Sequence, residues 1–387
     1  MNSTTPVNKN QLSIFICIDW FEPAFKAGGP IRSVANLLQH FSKNSNYSFK
    51  VFCSCKDADG SLLDGIEPGK WVPYSDNASV WYNSKNSIAV LKHQLQLASP
   101  DVVLVNGIYS WYYNLAPLFF AAGARKIVAV RGMLHPGALS QKAFKKKLYL
   151  FFWKLSGLHR KLIFQVSSGA EETYTRNVFG DKCTIVIANN FPVIIHTKPP
   201  EKVPNHLQLL TVALISPMKN YLAVLQALQQ VNYPVQYNIY GAVKDEAYWQ
   251  LCQQQIASLP GHIVVNWYGP VNPNRVGELM QQHHVFIMPS KSENYGHAIA
   301  EALSAGLPVI TSHNTPWNLL QENSAGLNVP GDDVNAVAAA INRFAAMGHD
   351  EYLQWSAAAS KYAGTKINIE DTMQQYTRLF NTNSTCR

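Results

Sequence analysis

Charge of either sign is scarce in this 387-residue chain: Asp, Glu, Lys and Arg together supply 14% of it, against 47% hydrophobic residues. With no low-complexity tract beside it, that balance excludes a disordered or coiled-coil protein, and so much apolar material at this length argues for two packed domains. No run reaches the roughly 18 apolar residues of a membrane-spanning helix. The first apolar stretch, 12–18, has neither a basic lead nor a small-residue cleavage site, so it reads as a first core strand rather than a secretory leader, and a cytoplasmic protein is expected. Cysteine is thin: Cys17, Cys53, Cys55, Cys183, Cys252 and Cys386 include one close pair and no second pair to complete a tetrahedral zinc site, so buried free thiols are expected. The histidines include His283-His284 but no helix-spaced pair with a third ligand, so no metal is expected.

The most uneven absence is that of acid. Between Asp101 and Glu171 there is no carboxylate, while Arg125, Lys126, Arg131, Lys142, Lys145, Lys146, Lys147, Lys154, Arg160 and Lys161 all fall inside the gap. These ten cations exceed the whole net charge of +8, so the remainder of the chain is slightly acidic. A local excess of this kind needs an anionic partner.

Short apolar runs bounded by turn residues recur at 14–18, 49–53, 102–105, 127–130 and 162–166, and helical spacing appears between them, as at Ile31, Val34, Leu37, Leu38 and Phe41. Such alternation predicts a parallel α/β sheet. A proline-rich stretch near 193–204 interrupts it, after which runs at 209–213, 235–240, 263–267, 285–289 and 309–311 restart it. The expected organisation is an N-terminal domain over 1–192, a linker over 193–204, a C-terminal domain over 205–366, and a helix within 367–387 that folds back on the N-terminal domain.

The richest segment is 285–329. A buried strand ending in Pro289 is followed by the loop Lys291-Ser-Glu-Asn-Tyr-Gly296, then a strong helix former from His297 that Gly306-Leu-Pro308 stops before a new strand. This order places a helix N-terminus at the carboxyl edge of a parallel sheet, where open α/β sheets bind ligands, and amides near Gly296, His297 and Ala298 suit phosphate oxygens. Glu293 and Glu301 flank the spot. Carboxylates repel phosphate, so they suit neutral hydroxyls of a sugar or ribose.

Glu293 and Glu301, with seven residues between them and Gly296 among these, followed by Ala-Leu-Ser-Ala-Gly-Leu-Pro-Val-Ile, resemble the donor-site signature of retaining glycosyltransferases of family 4. The resemblance implies the GT-B fold: two Rossmann-like domains whose parallel sheets face each other across a deep cleft. It implies that Glu293 holds hydroxyls of the transferred sugar and Glu301 the ribose, with Asn294, Tyr295, Gly296, His297 and Ala298 around sugar and diphosphate. Lys219, after the first strand of the C-terminal domain, matches the family lysine on the leaving diphosphate, but Leu214 stands where the family commonly has arginine. Gly28 and Gly29, ahead of an amphipathic helix, resemble the loop that closes over the diphosphate. Arg131, in Arg-Gly-Met-Leu, occupies the place of a histidine near the reacting sugar, as in a subgroup of bacterial polysaccharide transferases, and His135 stands nearby as a substitute for that histidine or an acceptor contact.

Lysines 145, 146 and 147 sit beside Leu148, Phe151, Phe152 and Trp153 in a basic amphipathic segment of the kind that rests on anionic membrane surfaces. No nucleic-acid module accompanies it, and no nucleic-acid partner is expected. The expected protein is thus a peripheral enzyme at the inner face of the cytoplasmic membrane. It moves a hexose-type sugar from a UDP- or GDP-sugar to a saccharide or lipid-linked saccharide acceptor, with retention and without metal or cofactor. A nucleotide-sugar 2-epimerase on the same fold, which would turn over donor with no acceptor, and a non-catalytic membrane-surface protein are the alternatives.

Overall fold

The computed structural model describes residues 11–140 and 143–383, Ser140 by its backbone only; Lys142 and Cys386 lie outside the described residues. The chain forms two compact units, one running to Phe191 and resuming at Ile369, the other spanning Pro192–Asn368.

In the N-terminal unit, β1 (Leu12–Cys17), β2 (Tyr47–Ser54), β3 (Trp71–Ser75), β4 (Ala78–Asn83), β5 (Val102–Asn106), β6 (Arg125–Ala129), β7 (Ile163–Val166) and β8 (Thr184–Ile187) form one sheet in the order β3-β4-β2-β1-β5-β6-β7-β8. Every neighbouring pair is parallel except β3 and β4, which are antiparallel. The fully buried runs, such as Val102–Asn106, are those of a sheet covered on both faces, and apolar clusters do lie on each. The hairpin at the edge is a departure from a purely parallel sheet. Its half-exposed strands alternate rather than form an apolar run, and Pro73 is tolerated because β3 has an unpaired side.

The helix Ile369–Asn381 packs within this unit. Phe380 lies 6.1 Å from Phe41 and 5.9 Å from Tyr47, Tyr376 stacks on Phe191 at 5.3 Å, and Gln375 Oε1 accepts the amide of Asn189 at 2.8 Å.

The C-terminal unit is an all-parallel sheet of β9 (Leu207–Val212), β10 (Val235–Tyr240), β11 (Ile263–Trp267), β12 (Val285–Met288), β13 (Val309–Ser312) and β14 (Gly326–Val329), ordered β11-β10-β9-β12-β13-β14. The stretch 193–204 has no regular secondary structure and is hydrogen-bonded onto this unit. Ile195 N–H donates to Ser304 Oγ at 3.0 Å, Thr197 Oγ1 to the Ala305 carbonyl at 2.8 Å, and the buried Lys202 ammonium to carbonyls of Val203, Ala345 and Met347. The five described cysteines are buried, and none of them is in a disulfide.

In both sheets the strand order reverses beside the first strand, between β1 and β5 and between β9 and β12. Crossovers leave in opposite directions there, which opens a crevice at the carboxyl ends of the strands.

The two adjacent histidines are structural, with opposite tautomers. His283 donates from Nδ1 to the Leu279 carbonyl and meets Asn238 Nδ2 with Nε2, while His284 accepts the Gln208 amide at Nδ1 and donates from Nε2 to the Glu201 carbonyl. Both rings are buried and neutral, and burial pulls the pKa of His284 down to about 4. An unfolded chain binds protons on these rings below the ordinary value near 6.5, while the folded one does not. Stability is therefore full above about pH 6.5 and falls as the pH drops toward 4, with His284 contributing up to about 3 kcal/mol of that loss. Urea unfolding of the C-terminal unit at pH 7 and pH 5 should show this slope, and His284→Gln should flatten it.

Candidate active site

In the C-terminal unit the loops after β9 and β12 meet at the point of strand reversal. The loop after β9 closes with the short 3-10 turn Pro217–Lys219 and with Asn220 in the left-handed region at φ 60°. Asn220 turns its amide onto the carbonyls of Pro289 at 3.3 Å and Gly331 at 2.7 Å, and the Lys291 N–H donates to the Met218 carbonyl at 2.9 Å. The two loops are thereby braced, and Lys219 Nζ reaches Glu293 Oε1 at 2.5 Å across them. The Glu293 side chain is 10% exposed and that of Lys219 22%, so the pair is largely withdrawn from water.

Glu293 is held from behind, its N–H donating to the Asn314 carbonyl at 3.2 Å. The helix His297–Ser304 begins at Gly296, whose φ of 77° suits glycine and where a Cβ would lie 3.3 Å from Ile299 and 3.4 Å from Trp317. No side chain caps that helix and no acidic residue lies in its first turn, an entry that favours an anion. Glu301, in the second turn, is buried. Tyr295 is packed between His297 and Trp317, and Trp317 Nε1 donates to its carbonyl at 2.6 Å; burial, then the nearby Glu301 carboxylate, push its phenol well above the usual range. Asn294 and Ala298 are half-buried on the same segment. Leu214 is half-buried beyond β9, and Lys291, exposed, lies 3.7 Å from Asp332.

The N-terminal unit has its own cluster at its reversal point. Gly28, at φ 74° and ψ −130°, leads into the helix Gly29–Phe41, which has no side-chain cap. Arg131 follows β6 with φ 56°, rare for a residue with a side chain, and Gly132 continues at φ 71°. Its Nε donates to Asn106 Oδ1 at 2.6 Å and its Nη1 to Asn190 Oδ1. Glu171, buried, accepts from the Gly132 amide and from Ser167 N and Oγ, and so clamps the turn. His135 accepts the Gly137 amide at Nδ1 at 3.0 Å and packs edge-on against Tyr174, and burial lowers its pKa. Asn106 is a single polar residue after an apolar run and looks like a turn residue, while Asn190 and Glu171 each sit in a polar pair, Asn189-Asn190 and Glu171-Glu172, that looks like solvated chain.

The helix Ala143–Leu155 turns Leu150 and Trp153 inward. Phe144, Leu148, Phe151 and Leu155, spaced four, three and four, form an exposed stripe, with Phe152 beside it. Lys145 and Lys147 are exposed next to them, whereas Lys146 turns back to the Ala138 carbonyl at 2.5 Å and over the Tyr109 ring. Among the described residues no helix is long and apolar enough to cross a membrane, and no group of three His, Cys, Asp or Glu is placed to hold a metal.

Residues 195–362 match the family described as Glycosyl transferases group 1. A 138-residue stretch is 31% identical to O-antigen chain mannosyltransferase B of Escherichia coli and covers 34% of this chain and 35% of that protein, so the match spans about a third of the relative's length. Solved structures extend the likeness to nearly the whole chain. HepE of Anabaena in complex with UDP-glucose superposes with a TM-score of 0.72 over 96% of this chain and 100% of its own at 15% identity. Sucrose-phosphate synthase from Thermosynechococcus elongatus gives 0.71 over 96% and 98% at 16% identity. The chain therefore has the GT-B fold, and its residues 195–362 match the group 1 glycosyl transferase family.

Proposed function

We propose that the protein is a retaining glycosyltransferase that moves a hexose-type sugar from a UDP- or GDP-sugar to a saccharide or lipid-linked saccharide acceptor in bacterial cell-surface polysaccharide synthesis. The observation that carries this reading is the Lys219–Glu293 pair, 2.5 Å apart at the strand reversal between β9 and β12, with Glu301 buried in the second turn of the next helix. A cation suits the diphosphate, and two carboxylates suit the hydroxyls at its two ends, the sugar at Glu293 and the ribose at Glu301. The resemblance of the mannosyltransferase stretch supports a polysaccharide setting.

In this reading the acceptor hydroxyl attacks the anomeric carbon on the face from which the nucleoside diphosphate leaves, and the departing phosphate oxygen takes its proton. Charge grows on the diphosphate, so Lys219 and first-turn amides around Gly296 and His297 accelerate the step, with no metal required of the chemistry. Glu293 serves twice: it holds Lys219 in place before donor arrives, and it accepts from the sugar afterwards. The N-terminal unit takes the acceptor, with Arg131 near the reacting sugar. The exposed apolar stripe and lysines of the helix Ala143–Leu155 rest on an anionic membrane at the cytoplasmic face.

A thermal-shift series with UDP, GDP and their sugar conjugates tests the donor site. One nucleotide should raise the melting temperature, and Glu301→Ala should weaken its affinity tenfold or more, as loss of charge-assisted hydrogen bonds worth about 1.5–3 kcal/mol implies. Folded protein that responds to no nucleotide would overturn the assignment. Lys219→Ala should lower turnover about 100-fold or more, with the product sugar keeping the donor's anomeric configuration by NMR.

The membrane surface has its own test. Wild-type protein should sediment with vesicles containing phosphatidylglycerol and not with phosphatidylcholine alone. Replacing Phe144, Phe151 and Leu155 together by serine should weaken this at least tenfold while nucleotide affinity stays unchanged, since each removes about 1.5–3 kcal/mol of apolar burial. Equal sedimentation of the variant would reject the stripe.

A further inference from the structure

Arg131 is held in an unusual way for a cation. Its partners are two neutral amide oxygens, Asn106 Oδ1 and Asn190 Oδ1, and both asparagines are buried, 3% and 4% exposed. Among the described residues no carboxylate pairs with it, and its Nη2 is shielded from solvent with no hydrogen-bond partner. The buried acid on this turn, Glu171, is occupied by the neutral donors Gly132 N, Ser167 N and Ser167 Oγ. The backbone at Arg131 is also in the left-handed region.

Each of these features is unfavourable by itself. A guanidinium withdrawn from water gains most from a bidentate carboxylate, and an aspartate at either asparagine position would provide the charge with the same side-chain length. A buried N–H with no partner and a strained φ add to the cost. Together they make sense if the unpartnered edge of the guanidinium takes an anion that comes with the substrate. Asn106 is well placed for this: it ends β5 at the reversal point, and its Nδ2 lies 3.4 Å from the Pro30 carbonyl, so it links Arg131 to the entry of the glycine-led helix Gly29–Phe41.

We infer that Asn106 and Asn190 are positioning residues that aim Arg131 and keep it uncompensated, so that its Nη2 edge receives a phosphate-type oxyanion of a substrate. This deepens the glycosyltransferase reading and rests on it for the identity of the substrates. Two sources share the chemistry: the diphosphate of the nucleotide sugar, and a phosphate carried by the acceptor.

The test is to change the charge and keep the shape. Asn106→Asp and Asn190→Asp, with Arg131→Gln for comparison, would be titrated calorimetrically with UDP, GDP, inorganic phosphate and glycerol phosphate, and their melting temperatures measured. The inference expects Asn190→Asp to fold with an unchanged or raised melting temperature, because an ion pair replaces a neutral hydrogen bond, and Asn106→Asp to remain folded although it also gives up the donor to the Pro30 carbonyl. It also expects at least tenfold weaker anion binding, and no further loss when Asn106→Asp is added to Arg131→Gln.

Loss confined to the nucleoside diphosphates assigns the anion to the donor. Loss confined to phosphate and glycerol phosphate, with nucleotides unaffected, assigns it to the acceptor. Aspartate variants that bind every anion as the wild type does would overturn the inference, since asparagines that only support the fold would leave binding untouched. So would wild-type protein in which Arg131→Gln changes no titration. The nucleotide reading is judged separately, by Glu301→Ala, so its failure is recognisable from wild-type protein that binds phosphate but no nucleotide.

Discussion

The ion pair between Lys219 and Glu293 depends on a topological fact, and much of the C-terminal unit is arranged around it. Strand β9 sends its crossovers one way and β12 sends its own the other, so the two loops that follow are neighbours with a gap above the sheet rather than a helix. Loops over a gap have few partners of their own. Here they are tied by the Lys291–Met218 amide bond, by Asn220 reaching two carbonyls, and by Asn314 behind Glu293. A lysine and a glutamate are brought together on such a base, largely out of water, and in the proposed reading they await a ligand with an anionic middle and hydroxyl-bearing ends. The pair also keeps each charge partnered while no ligand is bound, which avoids the several kcal/mol that an isolated buried charge would cost.

The N-terminal unit solves the same geometric problem with different chemistry. Its reversal point lies between β1 and β5, and the polar residue that ends β5 is Asn106, not an acid. The cation beside it, Arg131, is oriented by amides and clamped through its neighbour by Glu171. One unit thus presents a neutralised pair and the other a cation with no carboxylate partner among the described residues.

Much of this could be read from the residues. Most strands legible in the sequence are buried on both faces, 14–18, 102–105 and 285–289 among them and the edge run 263–267 excepted, because a continuous apolar run of that length, bounded by turn residues, fits a sheet covered on both sides. Those missed are edge elements: β3 and β4, with alternating half-exposed residues, and β8 and β14, each only four residues long and pressed against a single neighbour. The strong signal around Glu293 came from a contiguous string whose residues act within one strand–loop–helix. The Arg131 cluster offered no such string. Its members come from positions 106, 131, 171 and 190, and only the fold brings them together. The stretch 193–204 looked like a linker by its prolines, yet proline-rich chain can equally lie along a domain surface when its amides and side chains find partners, as Ile195, Thr197 and Lys202 do.

The acid-free span between Asp101 and Glu171 acquires a physical meaning in this light. Ten cations without one carboxylate would ordinarily weaken a compact unit by mutual repulsion, and interspersed acids would relieve it. Acids within the span would do more than relieve repulsion, however. Near Arg131 they would quench the guanidinium, and along the helix Ala143–Leu155 they would repel the anionic surface proposed to meet its exposed stripe. Two of these cations have neutral or aromatic partners: amide oxygens for Arg131, a carbonyl and the Tyr109 ring for Lys146. Keeping positive charge available, and accepting the small loss of stability that follows, is what a surface and a site with anionic ligands on both would require.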